Sequence, residues 1–163
     1  MSNRVEMLDE QLKAIPLPND NVPQELLSFA VNEMANFTLE EWAVLTDYAV
    51  SRDKQWRIAL IPLLRKQSCQ EAFLLLQLFD QSEQEEVKYR AADAIYHFAG
   101  FSRGIYHHYK GHDYELLEVA RHTETLDWQI VYRALYGEKR VWARPAAMWL
   151  EIVTGGVKRF EKA

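Results

Sequence analysis

The sequence predicts an all-α protein, built as a short stack of helix pairs. Only 6 glycines and 5 prolines occur in 163 residues, fewer than the many turns of an all-β fold require. Capping residues recur at the starts of apolar segments of helical length. No segment shows a convincing alternation of apolar and polar residues, so we expect no sheet. An irregular helical bundle is the alternative within this fold class.

The composition is that of one globular domain, with 48% hydrophobic and 26% charged residues. We therefore expect a single α-helical domain over residues 1–163. Its predicted parts are an N-terminal cap (1–37), two repeat-like helix pairs (39–100), a connector rich in His and Tyr (101–112) and C-terminal helices (113–163).

Capping and breaking residues define the predicted helices in order. Asp53 can cap one helix, and glycines stand where three others should end, at positions 100, 137 and 155. Three Ser/Thr-x-x-Glu sequences fit the capping box, in which hydroxyl and carboxylate satisfy free backbone donors: Thr38–Glu41, Ser68–Glu71 and Ser82–Glu85. The predicted helices cover residues 4–14, 24–35, 39–50, 54–67, 70–80, 83–99, 113–122, 126–137 and 145–154.

Two neighbouring helix pairs share an apolar pattern with a period of about 31 residues. The second pair, QEAFLLLQLFDQSEQEEVKYRAADAIYHFAG, has a leucine-rich first helix and an acidic turn at Asp80. Its second helix begins with Val87 and Lys88 and continues Ala-Ala-x-Ala-Ile. This pattern resembles a HEAT-like repeat, most closely over 70–100, fairly over 39–67 and weakly elsewhere. The resemblance implies a solenoid whose second helices line a concave binding surface.

The net charge of −5 is concentrated at one end of the chain. Residues 1–86 hold 15 acids and 7 bases, whereas residues 87–163 hold 9 acids and 12 bases. Because nucleic-acid binding requires a basic surface, a nucleic-acid partner is not expected. The acidic part should attract a basic protein surface, with Glu40 and Asp47 among its contacts.

The cellular setting is predicted from absent features. The single Cys69 has no partner for an intrachain disulfide. No apolar run has the length of a signal peptide or a membrane span. We therefore expect a cytoplasmic protein with no membrane partner.

The predicted partner-binding residues lie in two stretches. Tyr89, Asp93 and Tyr96 fall on the outer face of the helix over 83–99, where two tyrosines flanking a carboxylate would suit a protein partner. Coverage of this face by a neighbouring helix is the alternative. In the connector, the candidate contact residues are Tyr106, His107 and His108.

The connector also raises the question of a metal. His107, His108 and His112 lie within six positions, but Gly111 argues against one helix face that would carry two ligands. No cysteine is near, and docking of the aromatic rings on the core is the structural alternative. We expect no bound metal, although the cluster leaves that question open.

No catalytic machinery is recognisable. Gly100-x-Ser102-x-Gly104 matches the nucleophile-elbow pattern, but a helix instead of a strand precedes it. The P-loop, the dinucleotide fingerprint, HExxH and CxxC are all absent. We therefore expect a non-enzymatic protein with no catalytic residue and no cofactor.

The leading hypothesis is a protein-binding module that recognises a basic partner. Bacterial immunity proteins, which cover the active site of a toxin, are similar in general character, being small, acidic, helical and cytoplasmic. One alternative follows from the HEAT-like resemblance, which implies a relation to DNA-alkylation glycosylases, with Asp127, Trp128 and Arg133 as the corresponding set. An adaptor or assembly factor is another alternative.

Overall fold

The computed structural model describes residues 3–16 and 22–163, and the chain divides into two compact units, Met1–Ala99 and Gly100–Ala163. The first unit is helical and the second is built on a β-sheet. The all-α prediction is therefore wrong. Residues 1, 2 and 17–21 of the predicted N-terminal cap lie outside the described residues.

The helices of the first unit lie where the sequence predicted them, with every end within three residues. Thr38 and Glu41 form the predicted capping box of α3, and Asp53 accepts a hydrogen bond from the Trp56 amide (2.9 Å) at the start of α4. The capping predictions for Ser68 and Ser82 are wrong. The residues at the N-cap positions of α5 and α6 are Cys69 and Gln84, which lie one and two residues further along the chain. The helices are α1 (Asn3–Lys13), α2 (Gln24–Met34), α3 (Leu39–Ser51), α4 (Lys54–Arg65), α5 (Gln70–Asp80) and α6 (Glu85–Tyr96).

These helices pack through their apolar faces. α3 lies beside α5, α4 lies beside both α5 and α6, and α5 packs on α6. Their shared core includes the fully buried Leu45, Leu60, Phe73 and Ile95. Burial of one such side chain contributes about 1.5–3 kcal/mol, so the stacking of apolar faces holds this unit together. Over residues 3–16 and 22–163, no helix combines the length and apolar character needed to cross a membrane.

The second unit is a five-stranded antiparallel sheet with the order β4-β3-β2-β1-β7. A short 3₁₀ helix (Ala99–Phe101) precedes it, and β5 and β6 form a separate two-stranded ribbon. Its elements are β1 (Gly104–His108), β2 (Asp113–Arg121), β3 (Trp128–Ala134), β4 (Val141–Pro145), α7 (Ala146–Trp149), β5 (Ile152–Val153), β6 (Val157–Lys158) and β7 (Phe160–Lys162).

Four predicted elements of the C-terminal part are corrected by the observed structure. The predicted helices over 113–122 and 126–137 are strands β2 and β3, and the connector over 101–112 contains strand β1. The predicted helix over 145–154 is reduced to the single turn of α7. Strand β3 does alternate, with every second residue buried from Trp128 to Ala134. Val131 places an apolar side chain on the outer face, which obscures this alternation in the sequence.

A β-bulge in β2 explains why that strand resembled a helix. The register against β3 shifts between Leu116 and Glu118, so Leu116 and Val119 are both buried although three positions separate them. In a regular strand, residues three apart face opposite sides, whereas in a helix they share one face. The extra residue of the bulge therefore produces apolar spacing of the helical kind.

Two ionic contacts fasten α1 to α3 and the turn after it. Arg52 donates two hydrogen bonds to the carboxylate of Asp9 (both 2.7 Å), and Lys13 contacts the same carboxylate at 2.6 Å. Arg4 donates to Glu41 (2.9 Å), whose carboxylate also accepts from the Thr38 amide. Burial alone would raise the pKa of Asp9, but the hydrogen bonds from Arg52 and Lys13 outweigh it, so the pKa lies below its ordinary value.

Arg52→Ala should destabilise the helical unit, because Asp9 is buried and would keep only Lys13 as a partner. We expect a loss of about 2–3 kcal/mol in the free energy of unfolding, measured by urea with helical circular dichroism as the signal. The loss should be present at neutral pH and shrink as the pH falls below the ordinary Asp value, because the protonated carboxyl no longer needs a cation. Lys66→Ala, at an exposed position, is the control. A loss below about 0.5 kcal/mol for Arg52→Ala would contradict the assignment.

Candidate functional site

Two of the predicted α6 residues line a groove between α4 and α6. Tyr89 is 65% exposed, and Asp93 lies one turn further along the same helix. The groove has a volume of about 340 Å³ and is lined by Ile58, Ile61, Pro62, Arg65, Tyr89, Arg90, Asp93 and Ala94. Tyr96 is exposed as well, but it packs edge-on against His97 at 5.4 Å between ring centres and does not line the groove. The structure thus brings together two of the three residues predicted for this helix.

Glu40 and Asp47 lie exposed on α3. The outer side of α3 and of its neighbour α5 carries exposed aliphatic side chains as well, including Val44, Leu74 and Leu78. Neither helix contains a Lys, Arg or His residue. We call the surface formed by Glu40, Val44, Asp47, Leu74 and Leu78 the acidic face.

The three predicted residues of β1 lie on both faces of the sheet, with Tyr106 and His108 on one face and His107 on the other. Tyr106 is buried, packs edge-on against Trp149 at 5.1 Å between ring centres, and donates a hydrogen bond to the Ser102 carbonyl (2.7 Å). His107 is exposed and donates from Nδ1 to the Asp113 carboxylate on β2. His108 is half-buried and lies against Phe160, with 4.8 Å between ring centres. Tyr106 is therefore a core residue, and the two histidines do not converge.

His108 belongs to a group of rings at one end of the sheet, which we call the aromatic end. The β1–β2 and β3–β4 turns meet there, because consecutive antiparallel strands place every second turn at the same end of the sheet. The ring of His112 stacks on Tyr136 at 4.1 Å, and the hydroxyl groups of Tyr114 and Tyr136 hydrogen-bond to each other (2.8 Å). The aromatic end consists of His108, Tyr109, His112, Tyr114, Tyr136 and Phe160.

Sequence reasoning missed Tyr114 and Tyr136 as members of this cluster. Both were assigned to predicted helices, where their distance along the chain would have kept them apart. The signal was their position beside the turn residues Gly111 and Gly137, which both have a positive φ (104° and 57°) of the kind that marks hairpin turns. Identifying the hairpins would have placed the two tyrosines at one end of the sheet.

The local environment shifts the pKa values of two side chains of the aromatic end, His108 and Tyr114. Burial lowers the pKa of His108, and the positive charges of Arg144, Arg159 and Lys110 lower it further. Both effects favour the neutral form of the imidazole. Burial, followed by the hydrogen bond with Tyr136, raises the pKa of Tyr114 to about 12. Arg144 extends beneath the cluster, with its guanidinium carbon 5.2 Å from the ring centre of Phe160.

The histidines do not form a recognisable metal centre. In the part of the chain that the structure describes, no group of three or more His, Cys, Asp or Glu side chains is arranged to hold an ion. His107 and His108 are consecutive strand residues and face opposite sides of the sheet, and His112 stacks on Tyr136.

The structure also shows the positions of the residues that the sequence had suggested for a hydrolase or a glycosylase site. Ser102 accepts a hydrogen bond from the Lys162 ammonium (2.8 Å), which ties β7 to the segment before β1. Trp128 and Arg133 are five positions apart on β3, so their side chains lie on opposite faces of the sheet. Arg133 donates to Glu115 on the neighbouring strand (3.2 Å).

Comparison with known proteins identifies similarity in the second unit. Residues 104–162 match the model of a family described as "Protein of unknown function (DUF1653)". The chain is also similar to a DUF1653 protein from Bordetella bronchiseptica, known from its crystal structure, with 34% sequence identity over 39% of this chain and 87% of that chain and a TM-score of 0.35. None of the curated proteins matches. The match lies outside 39–100 and no HEAT repeat family is found, so the HEAT-like prediction is wrong.

Tyr89→Ala should leave the free energy of unfolding within about 0.5 kcal/mol of the wild-type value, because the side chain is mostly exposed and supports no core contact. Ile95→Ala on the same helix should cost about 2–5 kcal/mol, because Ile95 is fully buried. Urea unfolding of both variants measures the difference. A large loss for Tyr89→Ala would mean that this ring is structural and not free for binding.

Tyr114→Phe should make the protein less sensitive to alkali. The pKa of Tyr114 is raised to about 12 in the folded state, so above the ordinary Tyr value of about 10 the unfolded chain loses this proton first. The folded state is therefore destabilised as the pH rises from about 10 to 12, and the variant lacks this contribution. Thermal unfolding between pH 8 and 11 should show a shallower decline in Tm for Tyr114→Phe. Parallel declines in the two proteins would contradict the prediction.

Proposed function

Because the chain belongs to the DUF1653 family through residues 104–162, and that family is of unknown function, we propose a function from the surface of the unit that precedes this region. The helical unit is a non-enzymatic protein-binding module that recognises a basic partner. Its binding surface is the acidic face of α3 and α5.

One observation carries this proposal: α3 and α5 expose carboxylates and aliphatic side chains together, and neither helix contains a cation. Val44, Leu74 and Leu78 are 40%, 47% and 41% exposed. Exposed apolar side chains on two neighbouring helices are a feature of interaction sites. The aliphatic groups supply area to be removed from water, and the carboxylates select the charge of the partner.

The carboxylates of the acidic face are available to a partner. Glu40 and Asp47 make no ion pair with any of the residues 3–16 and 22–163, whereas other carboxylates of this unit, such as Asp9 and Glu86, are paired with cations. An unpaired surface carboxylate keeps its full attraction for an incoming positive charge. The helical unit as a whole holds 16 acids and 9 bases, which adds a long-range field of the same sign.

A basic toxin domain has the chemistry that this surface would recognise. A nuclease active site binds phosphates with Lys and Arg side chains, and carboxylates on an inhibitor can take the positions of those phosphates. We therefore propose an immunity-type inhibitor as the finer function, in which the acidic face covers such a site. An adaptor that holds a basic protein within a larger assembly would use the same surface.

The acidic face can be tested with a synthetic partner of defined charge. An amphipathic Leu/Lys peptide of about 20 residues, long enough to form a helix, is compared with a peptide in which every Lys is replaced by Glu. Fluorescence anisotropy should show binding of the basic peptide alone, weakening as salt rises. Glu40→Lys/Asp47→Lys should weaken this binding by about tenfold, because the substitution reverses two charges at the contact.

The matched control is Glu25→Lys/Glu83→Lys, which makes the same change in net charge at two exposed positions outside the acidic face. It should bind the basic peptide nearly as tightly as the wild type. Equal weakening by both double variants would show that only net charge matters, and the acidic face would then not be the binding surface.

A further inference from the structure

The aromatic end of the second unit has the features of a separate binding surface. The Leu135 amide donates to the Asp113 carbonyl (3.0 Å), and the Tyr109 amide donates to the Arg159 carbonyl (3.1 Å). These bonds bring the β1–β2 turn, the β3–β4 turn and the start of β7 together at one end of the sheet. Their exposed side chains therefore form one continuous surface.

The exposed rings of this surface are held in fixed positions. Tyr109 and Tyr136 are 42% and 43% exposed. Tyr136 stacks on His112 and hydrogen-bonds to Tyr114, and Tyr109 packs against His108 with 4.7 Å between ring centres. A ring that is already ordered loses little conformational entropy when a flat ligand stacks on it.

The same surface has an excess of positive charge. Of the carboxylates beside the turns, Glu138 pairs with Arg140 and Glu151 with Arg159, whereas Asp113 accepts a hydrogen bond from His107. Lys110 and Lys139 lie in the two turns and have no carboxylate partner within the described ranges 3–16 and 22–163. The lowered pKa of His108 agrees with this arrangement, because nearby cations are among its causes.

The side chains exposed in the two turns favour nucleic acid over protein as the ligand. They are Tyr109, Lys110, His112, Tyr136, Glu138, Lys139 and Arg140. None of them is aliphatic, whereas aliphatic side chains are what distinguish the acidic face. Rings interleaved with cations are the combination by which proteins bind single-stranded nucleic acid, with bases stacking on the rings and phosphates facing the cations.

The acidic balance of the whole chain does not exclude this ligand. The excess of acids belongs to the helical unit, whereas residues 100–163 hold 10 bases and 8 acids. Unpaired bases, which stacking requires, are presented mainly by loops and ends of RNA. We propose that the aromatic end binds single-stranded RNA, with Tyr109 and Tyr136 stacking on bases and Lys110 and Lys139 contacting phosphates.

The test is fluorescence anisotropy of the full chain with a labelled, unstructured oligouridine of about 12 nucleotides at low salt. Tyr109→Ala/Tyr136→Ala should weaken binding at least tenfold, whereas Tyr136→Phe, which keeps the ring, should bind like the wild type. Lys110→Gln/Lys139→Gln should weaken binding and lower the slope of log affinity against log salt by about 1.4. Lys66→Gln/Lys88→Gln, at exposed positions of the helical unit, makes the same charge change and should have little effect.

Several results would overturn the proposal. Unchanged affinity in the Tyr109→Ala/Tyr136→Ala variant, with its fold verified by circular dichroism, would exclude base stacking at this surface. Equal binding of duplex RNA would mean that phosphate charge alone is recognised. Equal binding of a DNA oligomer of the same length would remove the preference for RNA, and tighter binding of an acidic peptide would identify a protein ligand. The lysine variants change only exposed side chains, so they test the proposal even if the tyrosine variant unfolds.

Discussion

The second unit depends on the stacking of Phe160 on Trp149. Their rings lie face to face, 3.9 Å apart and 7° from parallel, and both are buried. Trp149 belongs to α7 and Phe160 to β7, so this pair fastens the segment after β4 onto the sheet. Tyr106 and Tyr132 pack against Trp149 at angles, and such aromatic pairs contribute about 0.5–1.5 kcal/mol each beyond the area they bury.

Phe160 also connects the interior of this unit with its surface. One side of the ring contacts Trp149, and other parts of it contact His108, Tyr114 and the guanidinium of Arg144. The outer rings thus rest on a packed support, which explains how exposed aromatic side chains can be ordered. The surface of the helical unit differs from this one, because the exposed side chains of α3 and α5 are mainly aliphatic groups and carboxylates. The two units therefore offer surfaces of opposite charge and different chemistry.

The parts of the fold that depend on local interactions could be predicted from the sequence, and the parts that depend on distant pairing could not. Thr38 and Asp53 indicate helices because their side chains bond to amides three residues ahead. By contrast, the bulge beside Leu116 gives β2 an apolar spacing that a helix would share. The exposed position of Tyr89 followed from helical periodicity, whereas the aromatic end required the strand register.

The pairing of β7 with β1 has a consequence for how the protein is made. Strand β1 is synthesised first, and all of β2, β3 and β4 must follow before its second neighbour exists. During translation the outer edge of β1 presents unpaired amides and carbonyls to other nascent chains, while the helical unit can already fold through contacts between neighbouring helices. A chain that stops before Phe160 would keep this edge of β1 open, so pairing with the edge of another chain is the hazard that β7 removes.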